Sequence, residues 1–130
     1  MIVSGVDLSA LEAAMKQLVE VAYFTDDVAG MSAFYQKLLG EPIAASEDMA
    51  IFMSGSTKIF IHKSYQADEG ELPPENHFAY AVDDVDASCE ELQAAGLTLE
   101  VAPKDYYWGR SAYLRDPDGH LIEINKPEEY

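Results

Sequence analysis

Residues 121–125, Leu-Ile-Glu-Ile-Asn, set an acid inside an apolar run near the end of the chain. Side chains two apart share a face of a strand, so Ile122 and Ile124 point one way and Leu121, Glu123 and Asn125 the other. The stretch IFIHK at 59–63 echoes IEINK at 122–126, with Ile59 and Ile61 on one face and Phe60 and His62 on the other. Each stretch predicts a half-buried strand whose isoleucines face a core.

These strands close two copies of a longer pattern. VAYFTDDVAG at 21–30 returns as FAYAVDDVDA at 78–87, an offset of 57 residues. Each copy predicts a strand running through Asp-Asp into a helix, with the aspartates as N-caps at the positive end of the helix dipole. Gly40 and Gly96 stand where the helices would end, which predicts helices over 28–39 and 85–95. Strands are expected at 42–46, 49–54 and 59–63 in the first half and at 97–101, 110–115 and 122–126 in the second. The chain therefore divides into strand-helix-three-strand modules at 19–63 and 77–127, joined by a solvated, acid-, Gly- and Pro-containing linker at 64–76. Each module is too small for a comfortable core, so the two are expected to share one α+β domain. Ahead of them, residues 1–18 predict a helix capped by Asp7, with Leu8, Leu11, Met15 and Leu18 as its apolar stripe.

Charge narrows the functional classes. Acidic residues number 24 against 8 basic ones, and the resulting net charge of -16 opposes binding to nucleic acid or an anionic membrane. No apolar run approaches the roughly 18 residues of a membrane span, and the start lacks a secretory signal pattern, so a cytoplasmic protein is expected. The single cysteine, Cys89, excludes an intrachain disulfide framework and falls with Val85 and Leu92 at helical spacing, as a core thiol would.

The repeat also aligns chemistry. Phe78, Tyr80 and Val82 should pack under the second helix, leaving His77 on the opposite face; the equivalent residue in the first half is Glu20. With Glu123 on the same face of the last strand, Glu20, His77 and Glu123 would converge if the two half-sheets curve together. Two carboxylates and an imidazole in one cleft cost several kcal/mol per unpaired charge unless a cation offsets them. This donor set suits divalent Mn, Fe, Ni or Zn and leaves coordination positions open. His62, on the face of Phe60, is a candidate acid or base, or else a partly exposed histidine at a strand end. His120 alternates with Ile122 and should point away from Glu123. Tyr106, Tyr107, Trp108, Arg110 and Tyr113 stand beside the cleft, either to hold a planar or anionic group or to close the barrel or a dimer contact.

The strand-helix-three-strand duplication, with LVEVAYFTDDVAGMSAFYQKLLG, HFAYAVDDVDA and WGRSAYLRDPDGHLIEINKP, resembles the vicinal oxygen chelate superfamily of glyoxalases, bleomycin resistance proteins and extradiol dioxygenases. The resemblance covers about residues 19 to 127 and implies a glyoxalase-like fold, two βαβββ modules in a curved, half-barrel mixed sheet. It implies metal ligands on the first and last strands of each module, here Glu20, Phe60, His77 and Glu123. Phe60 cannot bind a metal, which leaves it lining the substrate side, and Glu20 stands where His or Gln is more usual. The resemblance further implies a homodimer acting on a small molecule, with each cleft built from one chain or from two. A metal-dependent lyase or isomerase would chelate two neighbouring substrate oxygens, with Glu123 or His62 moving the proton. A metal-free member would instead sequester a cationic or aromatic small molecule.

Overall fold

The computed structural model describes residues 16–127 of the chain. The first module runs β1 (Gln17–Thr25), α1 (Val28–Leu39), β2 (Ala44–Ala45), β3 (Met49–Ser54) and β4 (Thr57–Lys63). The second repeats it as β5 (His77–Ala81), α2 (Val85–Ala94), β6 (Leu99–Tyr106), β7 (Gly109–Arg115) and β8 (Leu121–Pro127). All eight strands form one mixed, open sheet in the order β2-β3-β4-β1-β5-β8-β7-β6. β1 lies parallel to β4 and β5 parallel to β8, while β1 and β5 meet antiparallel at the seam between the modules. The architecture is the α+β, two-module curved sheet expected from the repeat.

Both helices start where the Asp-Asp pairs place them. The Asp27 carboxylate accepts from the Gly30 amide at 2.9 Å, and that of Asp84 from the Ala87 amide at 3.0 Å. Gly40 (φ 92°) and Gly96 (φ 96°) take left-handed conformations just after the helices, which a side chain would resist.

Each helix covers the apolar face of its own module. Under α1 the buried residues are Ala50, Phe52 and Ile61, flanked by Tyr23, Tyr35 and Ile59. Under α2 they are Val85, Cys89, Ala112, Leu114 and Ile124, flanked by Tyr80, Val82 and Ile122. Cys89 is the core thiol its spacing predicted. Phe78 departs from expectation, being 43% exposed. It sits at the seam between Val21 and Ile122, whereas α1 lies over β3 and β4 and α2 over β6, β7 and β8. Neither helix reaches it.

Three boundaries differ from the sequence pattern. The helix predicted over 1–18 lies outside the described residues as far as residue 15, but its last stripe position, Leu18, belongs to β1 and pairs with Tyr80. The strand predicted at 42–46 shrinks to Ala44–Ala45 at the sheet edge, where only one neighbour supplies hydrogen bonds. β6 instead extends to Tyr106, because Tyr107 and Trp108 make a tight turn and β7 continues the ladder back. Among the described residues no helix is long and apolar enough to cross a membrane.

Candidate metal centre

The face of the sheet opposite the helices carries the candidate site. Between Leu18 and Glu20 the β1–β5 register shifts by one residue. This bulge lets Leu18 pair with Tyr80 and still places Glu20 opposite Ala79. Ala79 in turn pairs with Glu123, and Glu123 with Tyr113, so Glu20, Glu123 and Tyr113 lie in one row across four strands. His77 occupies the next row, beside Ala22 and Leu121. Ala22 and Ala79 are buried, and their small side chains leave room between the larger ones. Ligand atoms of Glu20, His77 and Glu123 all lie within 4.8 Å of one another, although β1 and β8 are two strands apart. Strands two apart stand roughly 10 Å from one another, so the two glutamates meet by leaning toward each other over the small Ala79.

Hydrogen bonds fix the donors. The Glu75 carbonyl can only accept, so His77 Nδ1, 2.8 Å away, carries the proton and donates to it. That leaves Nε2 facing Glu123 Oε1 at 3.1 Å. An imidazole held at one nitrogen by a carbonyl, with the other aimed into a carboxylate cluster, is oriented as a metal ligand requires. The second oxygen of Glu123 accepts from Ser111 Oγ at 2.7 Å.

Electrostatics point the same way. Burial, reinforced by the charge of Glu123, pushes the Glu20 carboxyl above its ordinary value. For His77, burial by itself would lower the value, but the hydrogen bonds to Glu123 and the Glu75 carbonyl, with the charges of Glu123 and Glu20, raise it overall. Glu20 and His77 thus hold protons more tightly than free side chains do. A divalent cation would compete with those protons for the same atoms. Buried between the acids and the cleft, the Tyr113 phenol is pushed far up by desolvation and by Glu123, and stays protonated.

Above the cluster is a cleft of about 510 Å³ with His77 and Tyr113 in its lining. One wall is aromatic: Tyr106 and Trp108 stack with centroids 4.3 Å apart, and Tyr107 meets Trp108 edge-on. The opposite wall is the segment 64–76, which the composition suggested was a solvated linker. It is largely exposed, as the composition suggested, and is also tied down. Asn76 Oδ1 accepts from the Phe24 amide at 2.9 Å, Glu75 pairs with Arg115 at 2.7 Å, and Glu71 pairs with Lys104 at 3.3 Å. Among the described residues, Lys104 is the one Lys or Arg of the lining, and that pairing with Glu71 already engages it.

Residues 17–124 match the family model described as "Glyoxalase/Bleomycin resistance protein/Dioxygenase superfamily". The chain belongs to this superfamily. It is similar to the uncharacterized protein YraH of Bacillus subtilis (strain 168), with 30% identity over 85% of this chain and 98% of that protein. It is also similar to the metallothiol transferase FosB of Shouchella clausii (strain KSM-K16), with 30% identity over 72% of this chain and 68% of that protein. The fold is shared with the crystal structure of methylmalonyl-CoA epimerase from Mycobacterium tuberculosis. That likeness has a TM-score of 0.64 at 20% identity, covering 87% of this chain and 89% of that one.

In this member of the superfamily, one chain brings Glu20, His77 and Glu123 together without a partner. Phe60 lies one strand beyond, in the row of Ala22 and His77, and offers a ring where a ligand would stand. Of the expected substrate-side residues, Tyr106, Tyr107, Trp108 and Tyr113 line the cleft, and Phe60, Arg110 and His62 do not. Arg110 projects from the helix face, where Asp86 at 2.7 Å and Asp105 at 2.9 Å hold its guanidinium, so it cannot receive an anion in the cleft. His62 shares the site's face but is cut off from the cluster. The Phe24 ring lies between, 5.8 Å from His62 and 6.2 Å from His77, and His62 Nδ1 is 2.7 Å from the Lys63 carbonyl. His120 binds Asp116 in its own turn, away from Glu123. Missing from the sequence-based set were Ser111, Asn125 and Phe24. Ser111 and Asn125 had a visible signal, being polar residues on the Glu123 face of otherwise apolar strands.

Proposed function

We propose that the protein is a metal-dependent lyase or isomerase acting on a small substrate with two neighbouring oxygens. The observation that carries this reading is the convergence of Glu20, His77 and Glu123, two half-buried and one buried, beneath a cleft. Those three residues would hold Mn, Fe, Ni or Zn; the bound ion supplies Lewis acidity that polarises the substrate oxygens.

The chain's own groups do the rest. Glu20 would be the ligand that also leaves the ion to take a proton from a carbon beside a polarised carbonyl and return it. Glu123, engaged by His77 on one oxygen and by Ser111 on the other, serves as a ligand rather than as the proton carrier expected from sequence. Tyr113 keeps its phenolic proton and is placed to donate to a developing oxyanion. With Arg110 turned away and Lys104 paired, the cleft favours a planar, uncharged or cationic substituent against Trp108 over an anionic one.

The test is metal content after purification, then uptake of Mn, Fe, Ni and Zn by chelator-treated protein and by Glu123→Gln. Stoichiometric uptake that Glu123→Gln loses supports the reading; no uptake of any of the four removes it. A second reading is favoured by the Tyr106–Trp108 stack beside the acidic residues Asp68 and Glu71: a metal-free binding protein for a cationic aromatic molecule. It requires salt-sensitive binding of such a molecule that Glu123→Gln leaves unchanged.

A further inference from the structure

We propose that Ser111 is the positioning residue of this centre, committing one oxygen of Glu123, leaving the other for the ion, and linking the centre to Trp108 in the cleft wall. The inference rests on the metal-dependent reading and adds to it a residue that acts through a ligand.

A serine hydroxyl has one proton to give and two lone pairs to offer. Around Ser111 Oγ both acceptor places are used by donors, Trp108 Nε1 at 3.1 Å and Asn125 Nδ2 at 2.9 Å. An indole nitrogen can only donate, and the Asn125 amide group also donates toward the Arg110 carbonyl at 3.3 Å. The Ser111 proton is thus left for its third neighbour, Glu123 Oε2, at the 2.7 Å typical of a hydroxyl donating to a charged carboxylate. Ser111 is 0% exposed, Glu123 5% and Asn125 6%, so solvent has little access to these bonds.

Three consequences follow from that closed set of bonds. The two oxygens of Glu123 become unequal, Oε2 held by Ser111 and Oε1 facing His77 Nε2. Rotation of the carboxylate about its last bond is blocked, so Oε1 is presented to the cluster before an ion arrives. Trp108, which stacks on Tyr106 in the cleft wall, hangs on the same hydroxyl, so a change at Glu123 is transmitted to the surface a substrate touches.

Trp108 is the single tryptophan of the chain, and its emission therefore reports this link directly. Chelator-treated full chain is titrated with Zn²⁺ and with Mn²⁺, followed by equilibrium dialysis and tryptophan emission, for wild type, Ser111→Ala and Ser111→Thr, each checked by circular dichroism. Expected is an ion-dependent emission change in wild type. Ser111→Ala should bind about 10- to 100-fold more weakly and show no emission change at saturating ion, and Ser111→Thr should recover both properties. A folded Ser111→Ala with wild-type affinity and emission response overturns the proposal and leaves the metal reading standing. If neither variant folds, wild type decides: ion uptake with an emission change upholds the link, and ion uptake with none overturns it. Wild type that binds neither ion overturns both readings.

Discussion

The two halves of the sheet follow the same path and differ in what they place on the cleft face. The second half presents His77, Glu123, Tyr113, Ser111 and Asn125, joined by short hydrogen bonds and largely buried. The first presents Glu20 and then rings: Phe24, Phe60 and His62, with centroids 5.6 to 5.8 Å from their neighbours. A duplicated scaffold supplies equivalent positions, but chemistry is free to concentrate in one copy, because each module packs its apolar core under its own helix whatever its cleft face carries. The aromatic half shapes and dries one side of the centre; the polar half holds it.

The largest expected effect exploits this asymmetry. His77→Ala and Glu123→Gln, in the polar half, should each reduce metal affinity by more than the ~10- to 100-fold typical of losing an outer partner, while His62→Ala in the aromatic half should change it by less than about 3-fold. Equilibrium dialysis against Zn²⁺ measures all three, and equal losses would show that the halves contribute alike. In the opposite sense, Phe60→His gives the first half a fourth donor beside His77 and should raise affinity by about tenfold, or ~1.4 kcal/mol. No gain, with the variant folded, would mean that this position cannot turn toward the cluster.

Protonation gives a smaller effect. Glu20 and His77 both have folded values raised above their ordinary 4.5 and 6.5. A raised value means that the folded state binds the proton more tightly. The stability this contributes is complete below the unfolded value and is lost as pH rises through the folded one. Metal-free protein should therefore lose part of its stability as pH rises, from 4.5 upward for Glu20 and from 6.5 upward for His77. Denaturant melts across that range should show a flatter pH dependence in His77→Gln than in wild type. Added Zn²⁺ should stabilise more as pH rises, since it competes with those protons.

The smallest effect tests where the halves ought to agree. Asp27→Ala and Asp84→Ala remove matching N-caps and should each cost about 1 kcal/mol by denaturant unfolding. A large difference between them would show that the two helices do not share their modules' stability equally.

Local pattern in the chain reached whatever depends on sequence neighbours. Period-two alternation assigned Ile122 and Ile124 to the core and Glu123 to the cleft, Asp27 and Asp84 marked the helix starts, and the 57-residue offset made Glu20 and His77 equivalent. Local rules could not reach contacts between residues far apart. Arg110 looked like an anion receptor until α2 brought Asp86 to it, His62 looked catalytic until Phe24 stood between it and His77, and residues 64–76, solvated as their composition suggests, gave no sign that Arg115 and Lys104 would anchor them. Leu18 was read as helical because its apolar spacing fitted a stripe, but pairing with Tyr80 outweighs spacing in a strand that both β4 and β5 flank. That the donors meet within one chain came from long-range pairing, because the order β1-β5-β8 and its register set Glu20 and Glu123 in one row, and no single segment encodes that order.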